Sequence, residues 1–175
     1  ASKTAVSTPQ TQNKNPFSTL DRYIPLSDPQ TRLYRELREG IPVIDAAICK
    51  IVRLTGGFKV NCPGERAERE LEQFLSTVPV GGNQQGINMF VSAYLEQLLT
   101  YGSAVGEMIA DDSGFYALYN GELSALDAKR AQNHFDIEFY SGNKKLERQD
   151  LILFSALNPK PGEILGTSIL QGLPF

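Results

Sequence analysis

The sequence predicts an α+β fold, with N-terminal amphipathic helices followed by short antiparallel β-strands. Up to Gly102, apolar residues recur at helical spacing. Beyond Gly102 the chain breaks into short β-prone runs separated by Gly, Asp and Asn turns. Helices and strands segregated in this way favour antiparallel pairing over alternating βαβ units. The expected organisation is a flexible N-terminal arm over 1–16, a mainly helical part over 17–102, and a β-rich part of the same domain over 103–175. The last part is expected to run into the start of a further helix.

Residues 1–16 are rich in Ser, Thr, Gln, Asn and Pro and offer almost nothing to bury. An arm of this kind is either plain disorder or a strap laid on a neighbouring subunit. In SDPQTRLYRELREG, Asp28 suits an N-cap, Pro29 the first helical position and Gly40 the end, with Leu33 and Leu37 on one face. In IPVIDAAICKIVRLTGG, Ile44, Ala47, Ile48 and Ile51 form an apolar stripe. Lys50 and Arg53 suit its C-terminal dipole, and Gly56–Gly57 supply the stop. FKVNC then reads as a brief extended piece.

PGERAERELEQFLSTVP is a third helix with Leu71, Phe74, Leu75 and Val78 as its expected buried stripe and Glu65–Arg69 as an i,i+4 pair. Its charge run reads as a solvated face. GGNQQG lacks the lysine of a P-loop and the spacing of a dinucleotide fingerprint, so it reads as a flexible connection. In the fourth helix, INMFVSAYLEQLLTY, Ile87, Phe90, Tyr94, Leu98 and Tyr101 share a face that Val91 and Leu95 widen. Gly102 is suited to the left-handed conformation that ends a helix. In the strand that follows, Val105, Glu107 and Ile109 share one face and Ala104, Gly106 and Met108 the other. The small residues on the second face imply close approach of a helix or backbone. Glu107, an acid between apolar neighbours, is expected to be partly exposed or paired with Arg130 or Lys129.

Composition and motifs narrow the chemistry. Twenty acids against 17 bases give a net charge of −3, with no long block of either sign. Blanket attraction to DNA or an anionic membrane is therefore not expected. No apolar run approaches the roughly 20 residues that cross a bilayer, and the N-terminus has no signal-type apolar core, which argues for the cytoplasm. Cys49 and Cys62 read as neutral thiols, and with His134 as the sole histidine they make no zinc set. Asp111–Asp112 precede Ser113–Gly114 and read as a hairpin turn rather than paired catalytic acids. Ser103, Ser113 and Ser141 do not stand in G-x-S-x-G, and the NHFD context shows no sign of an activated His134. Lys129–Arg130 and Lys144–Lys145 are not interleaved with aromatics as in a base-stacking platform. No catalytic, cofactor-binding or metal-binding residue is assigned.

Taken in order, five stretches over 41–175 resemble one family, the portal proteins of tailed double-stranded-DNA bacteriophages. They are IPVIDAAICKIVRLTGGFKV; the helix exit LLTYGSAVGEMI; the turn and partner strand DDSGFYALYNGELSALDAKRA; FDIEFYSGNKKLERQDLILFSALNP; and the Gly-x-Ser segment in GEILGTSILQGLPF. Each stretch is generic, and the order carries the resemblance. The chain departs from the family in having Leu153–Phe154 where many portals place a histidine.

The resemblance implies the N-terminal half of a wing region, which in the family continues into stem, clip and crown. It implies a structural, non-enzymatic role in a ring, typically a dodecamer, at the capsid vertex that admits DNA and carries the tail. The implied partners are further copies of the chain, the major capsid or scaffolding protein, the terminase large subunit, and tail or adaptor proteins. Double-stranded DNA would pass through without sequence-specific binding, and no membrane is involved. The implied location is the virion, with the host cytoplasm during assembly. Two alternatives from other classes stay open: a small α+β protein-binding adaptor, and a hydrolase using Glu107, Asp111 or Asp112.

Overall fold

The computed structural model describes residues 29–55, 57–58, 60–112, 114–131, 136–142 and 144–173. Among them four helices precede two three-stranded antiparallel sheets, so the fold is α+β. The expected arm (1–16), Asp28 and Gly56 lie outside the described residues.

The first two helices, α1 (Pro29–Gly40) and α2 (Pro42–Thr55), are separated only by Ile41. The buried side of α1 is formed by Tyr34 and Leu37, whereas Leu33 is 39% exposed. In α2, Ile48 and Val52 are buried with Ile44 beside them, while Ala47 and Ile51 face outward. Both faces are rotated from the expected stripes because each helix packs on the other and on α4 (Ile87–Tyr101). Tyr34, Leu37, Ile48 and Leu170 share the resulting core.

Arg38 fastens the three helices together. Its guanidinium donates to Asp45 Oδ1 (2.6 Å), Glu96 Oε2 (2.6 Å) and Thr100 Oγ1 (3.3 Å). Burial opposes its charge, but the hydrogen bonds it donates to Glu96 and Asp45 outweigh that and raise its pKa above the ordinary arginine value.

Residues 57–58 and 60–62 are irregular rather than a strand. α3 (Glu65–Thr77) buries no residue fully. Leu71 and Leu75 are half-buried, Phe74 is exposed, and Val78, just beyond the helix, is the side chain that enters the core. The expected Glu65–Arg69 ion pair is replaced, since Arg69 donates to the Glu65 main-chain carbonyl and Arg66 pairs with Glu70. Between α3 and α4 the chain makes a bridge, Pro79 to Gln85, with Val80 N–H donating to Gln84 O and Gly86 N–H to Val78 O.

The first sheet has the order β2–β1–β6, formed by β1 (Ser103–Asp111), β2 (Gly114–Asn120) and β6 (Ile152–Ala156). β1 and β2 form the expected hairpin, with Asp111 opposite Gly114 and a bulge at Ile109/Ala110. The second sheet, β3–β4–β5, comprises β3 (Asp127–Arg130), β4 (Ile137–Ser141) and β5 (Lys144–Lys145). Short 3₁₀ turns at Leu123–Ala125 and Gln149–Leu151 join the two sheets.

β1 is central in both directions. On one face Gly106 approaches Phe90 of α4 so closely that a Cβ there would lie 2.7 Å from Phe90 Cζ. This is the close helix approach that the small residues of that face imply. On the other face Val105 packs with Leu126, Phe139 and Ile152, the last three coming from the second sheet, its approach and β6. Helices, first sheet and second sheet thus make three layers. From Leu157 to Leu173 the chain runs through turns, so the expected start of a further helix is not formed among these described residues. No helix of the described residues is long and apolar enough to cross a membrane.

Candidate functional site

The most tightly constructed feature is the joint where α4 becomes β1. Gly102 ends the helix with φ 79° and ψ −11°, a left-handed conformation that glycine adopts without Cβ strain. Its N–H donates to Leu98 O (2.9 Å) and its carbonyl accepts from Leu157 N–H (2.7 Å).

The segment Gly166–Thr167–Ser168 crosses this point with backbone against backbone. A Cβ on Gly102 would lie 2.5 Å from Thr167 C, and one on Gly166 would lie 2.0 Å from Gly102 O. Two serines tie the crossing together. Ser103 Oγ accepts from Gly166 N–H (2.9 Å), while Ser168 Oγ donates to Thr100 O (2.6 Å) and accepts from Leu170 N–H (3.0 Å). Ser103 and Ser168 are 2% and 5% exposed, so these bonds satisfy groups that water does not reach.

Gln97 completes the joint from the helix side. Its Oε1 accepts from Val105 N–H (2.6 Å) and its Nε2 donates to Gly121 O (2.7 Å), holding helix, β1 and the exit from β2 together. Tyr94 Oη donates toward Ala104 O (3.3 Å) and Leu153 O (3.4 Å), and burial pushes its phenol pKa up. A cavity of about 450 Å³ opens beside the joint, bordered by Tyr34, Ser103, Val105, Leu126, Phe154 and Gln171.

The residues weighed for chemistry do not converge. Glu107 lies on β1 opposite Tyr119 and Ile152 and is 2% exposed. The expectation of partial exposure is thereby corrected, because the second sheet covers the face that Glu107 shares with Val105. Lys129, one of its expected partners, holds its ammonium 4.9 Å from the centre of the Tyr140 ring. Asp111 and Asp112 sit at the hairpin turn, at the far end of β1 from the joint. Ser141 ends β4, and Ser113 and His134 lie outside the described residues.

Both members of the second basic pair are held in local ion pairs, Lys144 with Glu147 and Lys145 with Glu138. Cys49 and Cys62 are free, partly buried thiols. Among the described residues, no three His, Cys, Asp or Glu side chains are placed to hold a metal ion.

Sequence reasoning located Gly102 but missed Gln97, Ser103 and Ser168 as the polar ties. Gln97 carried no distinct signal, since in LEQLL it stands beside a second polar residue, Glu96. No family model matches the chain, and no curated protein matches it.

Proposed function

We propose that this chain is the wing part of a phage portal subunit, a structural element of the ring through which DNA enters and leaves the capsid and to which the tail attaches. One observation carries the reading. Two of the stretches whose order carries the resemblance, the helix exit LLTYGSAVGEMI and the Gly-x-Ser segment, meet at the Gly102–Gly166 crossing. Residues far apart in the chain are thereby explained by a single rigid joint between the helical and β-rich parts.

The role fits the chemistry of the site. Ser103, Ser168 and Gln97 all spend their polar atoms on backbone groups. A ring wall must transmit force between its layers, and a joint fixed by backbone contacts does that. The net charge of −3 also fits a surface past which DNA slides, because each Lys or Arg contact to phosphate adds affinity. Further copies of the chain, capsid or scaffolding protein, terminase and tail proteins are the partners this role requires.

Native mass spectrometry of the full-length protein tests the reading. The expected result is one closed oligomer of high order. A protein that stays monomeric at the highest concentrations reached would overturn it.

A further inference from the structure

A chemically labile dipeptide stands at the exit from β2. Asn120–Gly121 is the only Asn-Gly pair in the sequence. An asparagine side chain cyclises most readily before glycine, because no Cβ shields the following backbone nitrogen. In that reaction the Gly121 nitrogen loses its proton to a solvent base and attacks Asn120 Cγ. An N–Cγ bond forms, the Cγ–Nδ2 bond breaks, and the side-chain nitrogen leaves as ammonia. Water then opens the cyclic imide at either carbonyl and leaves aspartate or isoaspartate.

Every group this reaction needs is engaged in the fold. Asn120 is the last residue of β2, opposite Gly106 of β1. Its Nδ2, the leaving nitrogen, donates to Phe90 O (3.1 Å) of α4. The attacking nitrogen of Gly121 donates to Val105 O (2.9 Å), and the Gly121 carbonyl accepts from Gln97 Nε2 (2.7 Å). The nucleophile is therefore pinned to β1 and the electrophile to α4, and attack requires the exit to open.

We propose that Asn120–Gly121 is a self-modification site that the closed exit holds inactive and that converts when β2 parts from α4. Conversion is one-way for the fold. Asn120 Oδ1 is buried without a hydrogen-bond partner among the described residues, so the amide is held through Nδ2 alone. A carboxylate there has no N–H to give to Phe90 O and places charge where no donor meets it. Isoaspartate also lengthens the main chain just before Gly121, which displaces its N–H from Val105 O. The modification thus marks chains whose joint has opened and hinders its reclosure. This holds whether or not the chain builds a ring.

Incubating the full-length protein at mildly alkaline pH, with peptide mass mapping of Asn120, tests the site. The unfolded chain is expected to convert, the native protein to keep its amide, and urea below the unfolding transition to speed conversion. Gln97→Ala removes two hydrogen bonds, to Gly121 O and from Val105 N–H. It should convert roughly tenfold faster than the parent, because the rate follows the open population. Asn120→Gln, which would have to close a larger ring, should stay unconverted even when unfolded. Asn120→Asp should refold with a lower urea midpoint. A native protein that converts at the unfolded rate would overturn the proposal. So would a Gln97→Ala protein that converts no faster than the parent, and an Asn120→Asp protein as stable as the parent would sink the one-way step. The urea series uses the parent alone, so it decides the matter even where Gln97→Ala fails to fold: a rate unmoved by urea below the transition overturns the local opening.

Discussion

Replacing Gly166 by alanine is expected to destabilise the protein more than any other single-methyl change in the β-rich half. The added Cβ would sit 2.0 Å from Gly102 O, 2.3 Å from Leu157 N and 2.6 Å from Leu157 O, all backbone atoms. Real Cβ contacts essentially never fall below 3.0 Å, so one backbone must retreat by an ångström or so. That retreat stretches the Leu157 N–H to Gly102 O bond of 2.7 Å and the Gly166 N–H to Ser103 Oγ bond of 2.9 Å beyond useful range. Two lost hydrogen bonds contribute about 1 kcal/mol each, more where a buried group is left unsatisfied, and overpacking strain adds about 1–3 kcal/mol.

The sum, about 3–5 kcal/mol, is a large share of the roughly 5–15 kcal/mol that holds a domain folded. Urea unfolding followed by circular dichroism reads it directly as a fall of roughly 1–3 M in the midpoint at unchanged slope. Gly172→Ala is the control, because a Cβ there meets nothing within 4 Å. A Gly166→Ala protein that unfolds within about 0.5 kcal/mol of the parent, the range of an ordinary surface change, would refute the crossing.

Other consequences follow from the same packing. Phe90→Ala should cost about 3–5 kcal/mol as a core truncation. Gly106→Ala should cost about 1–3 kcal/mol by overpacking against that ring, and Phe90→Leu should recover part of it, because the two sites touch; chemical denaturation of the double-mutant cycle checks the coupling. Arg38→Met leaves Asp45 and Glu96 facing each other without their shared cation and should cost about 1–3 kcal/mol, a value discounted for partial exposure; adding Glu96→Gln should recover some of it in the same assay. The Glu138 carboxyl is held below the ordinary glutamate range by its hydrogen bonds from Lys145 and then Tyr140. Because the folded-state pKa is depressed, the contribution is present above the unfolded pKa and is lost as pH falls through the folded value. An NMR titration should show that midpoint move upward in Lys145→Met.

Much of this architecture was legible because single residues have few alternatives. Gly102 announced the helix end through its freedom at positive φ, and Asp111 to Gly114 announced the hairpin through turn chemistry. Gly106 signalled close packing by lacking a side chain, and Phe90 fills that space. The misread faces share one cause, tertiary partners that local periodicity does not specify. Leu33 lost its expected place to Tyr34 because α1 leans on Ile48 and Leu170. Glu107 is buried on the face where its neighbour Val105 meets Phe139 of a second sheet, and the charged DAKR segment that forms β3 gave no sign of that sheet. The Gly166 crossing was invisible for the same reason, since a small residue in a turn-rich segment gives no hint of which backbone it will touch.

Electron microscopy of the full-length protein tests the central claim most directly. Class averages viewed end-on should show a closed ring around an axial channel wide enough for a DNA duplex, with this domain in its outer layer. Averages showing only monomers, or a compact assembly with no channel, would contradict the portal reading.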